Sequence, residues 1–70
     1  VKKIEVYRKR QRLTGAELAR RAGISPSQVS NIELGRHIPP AGSITLVRLN
    51  KALGRPETRA DALLEEADHE

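Results

Sequence analysis

The stretch Thr14–Arg36, TGAELARRAGISPSQVSNIELGR, decides how the chain folds. Thr14 and Glu17 have the Thr-x-x-Glu spacing of a capping box. There the threonine hydroxyl accepts from the Glu17 N–H, and the carboxylate accepts from the Thr14 N–H. A helix follows to Ala22, with Leu18, Ala19 and Ala22 on one face and Arg20 and Arg21 off it. Gly23 ends this helix, because a left-handed residue stops a helix and glycine takes that conformation without a Cβ clash. Ile24 plugs the corner. Ser25 opens a second helix, with Pro26 at its first position, where a missing N–H costs nothing, and Gln28 completing a second capping box. This helix covers residues 26–34 and stops at Gly35. Val29, Ile32 and Leu34 point inward, while Ser27, Gln28, Ser30 and Asn31 lie off the apolar line.

A turn of about three residues forces the two helices to cross at a large angle. Ala19 is small where the second helix must come close to the first. The outer face of the second helix is polar but carries no Lys or Arg, whereas a merely solvated face usually carries Lys and Glu. Serine, glutamine and asparagine together suit hydrogen bonding to base edges.

Leu13-Thr14, Glu17-Leu18-Ala19, Gly23-Ile24-Ser25, Val29-Ser30, Ile32-Glu33 and Gly35 stand in one register with Leu46, Leu49 and Ala52-Leu53-Gly54. In this pattern, over residues 4–54, the chain resembles the Cro/repressor-type (XRE) helix-turn-helix domains. Phage repressors, restriction-modification controllers, many antitoxins and small bacterial regulators belong to that family. The resemblance implies an all-α, compact five-helix bundle over residues 1–70, with the helix-turn-helix at about 15–34. It also implies a transcriptional regulator, most simply a repressor, that binds double-stranded DNA with its second motif helix in the major groove. Ser27, Gln28 and Asn31 would lie nearest the base edges, and Ser30 would meet a phosphate or a base. Glutamine and asparagine can each pair bidentately with adenine. Arg36 stands where the family places a phosphate contact, and Arg10 and Arg12 are further phosphate candidates. In the family, an arginine at Arg8 pairs with a glutamate at Glu33 behind the recognition helix, and Gly23 and Ala19 support that helix. A departure is Gly15, which stands where many relatives carry a glutamine that braces a phosphate. The family expectation is a homodimer with half-sites about one helical turn apart, in the cytoplasm of a prokaryote or encoded by a phage.

Seventy residues are one domain, near the lower limit for a core without staples. Without cysteine there is neither a disulfide framework nor a thiolate metal site. No apolar run approaches a membrane span or a signal peptide. No cofactor or metal is expected, and no enzyme: paired carboxylates in an apolar setting, a nucleophile–base pair and a glycine-rich phosphate loop are all missing. The formal net charge is +4 and unevenly placed: residues 1–36 carry nine of the thirteen Lys and Arg against three acids, and residues 37–70 carry four against six. The basic part therefore coincides with the helix pair, as expected of a polyanion-facing half.

Residues 1–12 read as a first helix with Ile4, Val6 and Tyr7 on its apolar side; Tyr7, the sole aromatic, reads as a core or rim residue with a solvated hydroxyl. One aromatic cannot build the stacking platform of a single-strand binder. Residues 36–42 form a loop around Pro39-Pro40; His37 in it faces solvent or a phosphate. Ser43 caps a fourth helix over residues 43–53, with Leu46, Leu49 and Leu53 in its core stripe, Val47 beside them and Gly54 closing it. Residues 57–68 read as a fifth helix, capped through Thr58 and Asp61, with Ala60, Leu63, Leu64 and Ala67 as its stripe. That stripe either closes the core or meets a second subunit. A different reading of the whole chain is an antitoxin or adaptor whose main partner is a toxin or another regulator; Gly15 and the acidic tail fit it.

Overall fold

The computed structural model describes residues 1–40 and 42–67. They form four α-helices, α1 (Lys3–Arg10), α2 (Gly15–Ala22), α3 (Pro26–Glu33) and α4 (Ile44–Ala52), followed by a 3-10 helix at Ala60–Leu64. Among the described residues there is no strand, only an antiparallel bridge between Lys2 and Glu66. α2 packs against α3 and against α4, and the 3-10 helix rests on α4 and α1. Each element gives the core an apolar stripe: Ile4, Leu18, Val29, Ile32, Leu49 and Leu63 are each at most 1% exposed.

All four α-helices stop in the same way. At the end of α2, Gly23 has φ 75°, its N–H donates to the Arg20 carbonyl at 3.3 Å, and the Ile24 N–H donates to the Ala19 carbonyl at 3.0 Å. These are the two backbone bonds of a Schellman motif. Gly35 ends α3 through bonds to Ile32 and Asn31, and Gly54 ends α4 through bonds to Lys51 and Asn50. α1 stops earlier than the sequence reading expects, at Arg10, and without a glycine. Arg12 takes the left-handed position itself, at φ 58°, so that Leu13 N–H reaches the Arg8 carbonyl at 3.1 Å and the Leu13 side chain turns into the core.

The fifth α-helix expected over residues 57–68 is replaced by the single 3-10 helix, with Asp68 outside the described residues. Thr58 does not cap it; Arg59 stands at the start, without a side-chain cap. From Glu65 onward the backbone is extended because it runs beside the amino terminus. Lys3 N–H donates to the Glu65 carbonyl at 2.9 Å, and Ala67 N–H donates to the Val1 carbonyl at 2.8 Å. A helix continued past Leu64 would forfeit both bonds. Leu63 still closes the core, as one of the two readings of the stripe required.

Three side chains depart from expectation. Leu34 is the C-cap of α3, still helical in backbone, and points outward, 62% exposed, because two residues past Ile32 is the opposite side of a helix from the buried line. Val47 lies on the outer side of α4, exposed rather than beside the leucines. The Tyr7 hydroxyl is not left to solvent alone: it donates to the Glu57 carboxylate.

Candidate nucleic-acid interface

α3 is held from three directions before it presents anything. At its start, Ser25 Oγ accepts from Gln28 N–H at 3.3 Å and Gln28 Oε1 accepts from Ser25 N–H at 3.0 Å, closing the capping box. At its base, fully buried Ala19 lets α2 approach. At its far end, Arg8 grips Glu33 bidentately, Nε to Oε2 at 2.7 Å and Nη2 to Oε1 at 2.9 Å, while Nη1 donates to the Leu13 carbonyl at 2.9 Å. The Arg8 and Glu33 side chains are only 15% and 9% exposed. A planar, bidentate pair in that setting fixes orientation as well as proximity.

The neighbouring α2 is anchored in the same manner. Glu17 N–H donates to Thr14 Oγ1 at 3.0 Å, and Glu17 Oε1 accepts from Thr14 N–H at 2.8 Å. That backbone bond, then the Thr14 hydroxyl and the nearby Arg20 and Arg21, hold the Glu17 carboxyl below the usual carboxylate range. Gly15 is the first residue of α2, and a Cβ there would meet Val29 Cγ1 at 3.9 Å, an ordinary contact. The site therefore has room for a side chain.

What α3 turns outward is neutral. Ser27, Gln28 and Ser30 are exposed and Asn31 is half-buried. Around them stand cations. Arg36 and Arg12 are exposed and make no ion pair among the described residues. Arg10 lies over the Tyr7 ring, its guanidinium carbon 5.9 Å from the centroid, so part of its interaction capacity is already used. His37 is exposed in the loop after α3. The sequence reading missed Arg48. One of its guanidinium nitrogens comes within 4.0 Å of the place a side chain at Gly23 would take, so this exposed α4 residue lies against the turn into α3. Its position off the leucine stripe of α4 was the available signal.

A capped helix set across another by a glycine turn, neutral and polar outside and rimmed by arginine, defines a helix-turn-helix DNA-binding domain. A family model described as a helix-turn-helix domain matches residues 3–63, and the chain belongs to that family, in its Cro/repressor-type form. No curated protein and no solved structure matches the chain. Among the described residues, no helix is long and apolar enough to cross a membrane.

Proposed function

We propose that the chain is a sequence-specific transcriptional regulator of the repressor kind. It acts in the cytoplasm as a homodimer on a two-fold duplex site and places α3 in the major groove. The observation that carries this reading is the outer face of α3: neutral hydrogen-bonding side chains held rigidly from behind, beside Arg36 and Arg12, which make no ion pair among the described residues. Ser27, Gln28 and Asn31 face base edges, and Ser30 faces a base or the adjoining phosphate. Arg36 and Arg12 neutralise phosphates, with Arg10 a weaker candidate because it already covers Tyr7. Phosphate contacts set register and base contacts set sequence. A second reading, a protein partner such as a toxin or another regulator, is favoured by one observation. Leu34, Ile38 and Ile44 are each more than 60% exposed, apolar surface that a protein partner would cover.

The test is binding to duplex DNA across a salt series, with the wild type, Asn31→Ala and Arg36→Ala. The wild type should bind with steep salt dependence. Arg36→Ala should weaken binding to every sequence and flatten the log–log slope by about 0.9, the share of one neutralised phosphate. Asn31→Ala should keep the slope and lose preference at one base pair, worth about 1–3 kcal/mol. A chain that ignores duplex DNA in dilute salt leaves the protein-partner reading standing instead.

A further inference from the structure

Gln28 cannot cap its helix and read adenine through both amide atoms at once. A bidentate pair with adenine uses the amide oxygen to accept from N6–H and the amide nitrogen to donate to N7. Here Oε1 is taken: it accepts from Ser25 N–H at 3.0 Å and lies 3.4 Å from Ser25 Oγ. The identity of that atom follows from chemistry, because a backbone N–H can be met only by an acceptor and the amide NH2 is a donor. The oxygen therefore faces the cap, and Nε2, on the other arm of the planar group, faces away. Nε2 has no partner among the described residues, and Gln28 is exposed. Asn31 is different: neither of its side-chain amide atoms is engaged among the described residues. Freeing the Gln28 oxygen would open the capping box and leave the Ser25 N–H without its partner, so the cap opposes the adenine geometry.

The geometry points to a division of labour on α3, resting on the major-groove reading above: Gln28 reads its base as a donor only, and Asn31 is the adenine-selecting amide. An NH2 group finds two acceptors on guanine, O6 and N7, and one on thymine, O4; adenine's single acceptor, N7, stands beside the N6 donor, which repels an incoming N–H, and cytosine presents only the N4 donor. The base facing Gln28 is then guanine first and thymine second, with cytosine excluded and adenine holding no advantage.

The experiment selects duplexes from a random library at fixed salt with the full chain. The wild type is compared with Gln28→Ala, Gln28→Glu and Asn31→Ala. Gln28→Ala locates the relevant base-pair column by flattening it. Gln28→Glu keeps the cap, since a glutamate carboxylate accepts from the Ser25 N–H as well as an amide does, but exchanges the outward donor for an acceptor. The wild type should enrich guanine or thymine in that column. Gln28→Glu should shift the column, and no other, toward cytosine, changing the guanine-to-cytosine ratio tenfold or more at an unchanged melting temperature. Asn31→Ala should erase adenine from a different column. The wild-type column decides the matter even where the added carboxylate lowers overall affinity. Adenine dominating the Gln28 column overturns the donor-only assignment, as does a wild type that binds duplex DNA without any preference there. A wild type that binds no duplex overturns the major-groove reading as well, which separates the two failures.

Discussion

Arg12 occupies a left-handed position that its side chain makes costly. For an L-residue with a Cβ that conformation costs about 1–2 kcal/mol, and such outliers gather where a protein interacts. Arg12 is exposed and has no hydrogen bond or ion pair from its side chain among the described residues, so the arginine side chain itself repays none of the strain. Arg12→Gly removes the strain but frees the unfolded chain, an opposing effect of about 0.5–1 kcal/mol. The strain is the larger, leaving a net gain of about 0.5–1 kcal/mol, or roughly 3–6 °C in melting temperature for a domain of this size. The same change deletes a proposed phosphate contact, so duplex affinity should fall while thermal stability rises. Calorimetry and a binding titration on one variant test both halves. A lower melting temperature would reject the account of strain, and unchanged affinity would remove Arg12 from the interface. Nothing in the residues around Arg12 announces this stop, because arginine is an ordinary helix former and no glycine or proline precedes Gly15. The stop comes from Leu13, which reaches the core only if the chain turns there.

At the level of elements, α3 is eight residues long, too short to hold itself together in isolation. Its rigidity is borrowed from the Arg8–Glu33 pair and the turn at Gly23. Glu33→Ala leaves a largely buried guanidinium without its carboxylate, which typically costs about 3–5 kcal/mol, toward the lower end here because Arg8 keeps its bond to the Leu13 carbonyl. Glu5→Ala is the matched control, since Glu5 pairs with Lys9, which is 62% exposed, at i,i+4, an arrangement worth about 0.3–0.5 kcal/mol. Thermal melts of the two variants should differ by well over ten degrees, and equal shifts would show that the Arg8–Glu33 pair contributes little. This contrast also marks what the sequence makes readable. The two capping boxes and the stops at Gly23, Gly35 and Gly54 are legible because each is settled within about four residues of chain. The Arg8–Glu33 pair needed a family pattern, since its partners lie twenty-five residues apart. The 3-10 helix was illegible: the residues that pull Glu65–Ala67 out of a helix are Val1–Lys3, at the opposite end of the sequence.

Over the whole molecule, acids and bases divide the work. Every carboxylate among the described residues is engaged: Glu5 with Lys9, Glu33 with Arg8, Asp61 with Arg59, Glu65 with Lys3, Glu66 with Lys2, Glu17 in a cap and Glu57 with Tyr7. The surplus positive charge is left on exposed side chains such as Arg12, Arg36, Arg48, Lys51 and Arg55, a field suited to a polyanion. Glu57 does more than neutralise. Its backbone N–H and carbonyl are both held by the Asn50 amide, at 3.3 and 2.9 Å, and its carboxylate takes the Tyr7 hydroxyl, so α1, α4 and the segment before the 3-10 helix meet at one residue. The hydrogen bond to Glu57, then burial, then the Glu57 charge push the Tyr7 hydroxyl above its ordinary value of 10.0, against the smaller opposing pull of Lys3 and Arg10. A folded-state value above the unfolded one means that protonated Tyr7 stabilises the fold. That contribution is complete below about pH 10 and disappears as pH rises through the folded-state value. Since the chain has one tyrosine and no tryptophan, the tyrosinate absorbance band reports this group alone. The wild type should titrate above free tyrosine, with the melting temperature falling over the same alkaline interval. Glu57→Gln keeps an acceptor but removes the charge, and should bring the titration back toward the ordinary value. A wild-type hydroxyl that already ionises like free tyrosine would mean that the junction of α1, α4 and the carboxyl-terminal segment is open in solution.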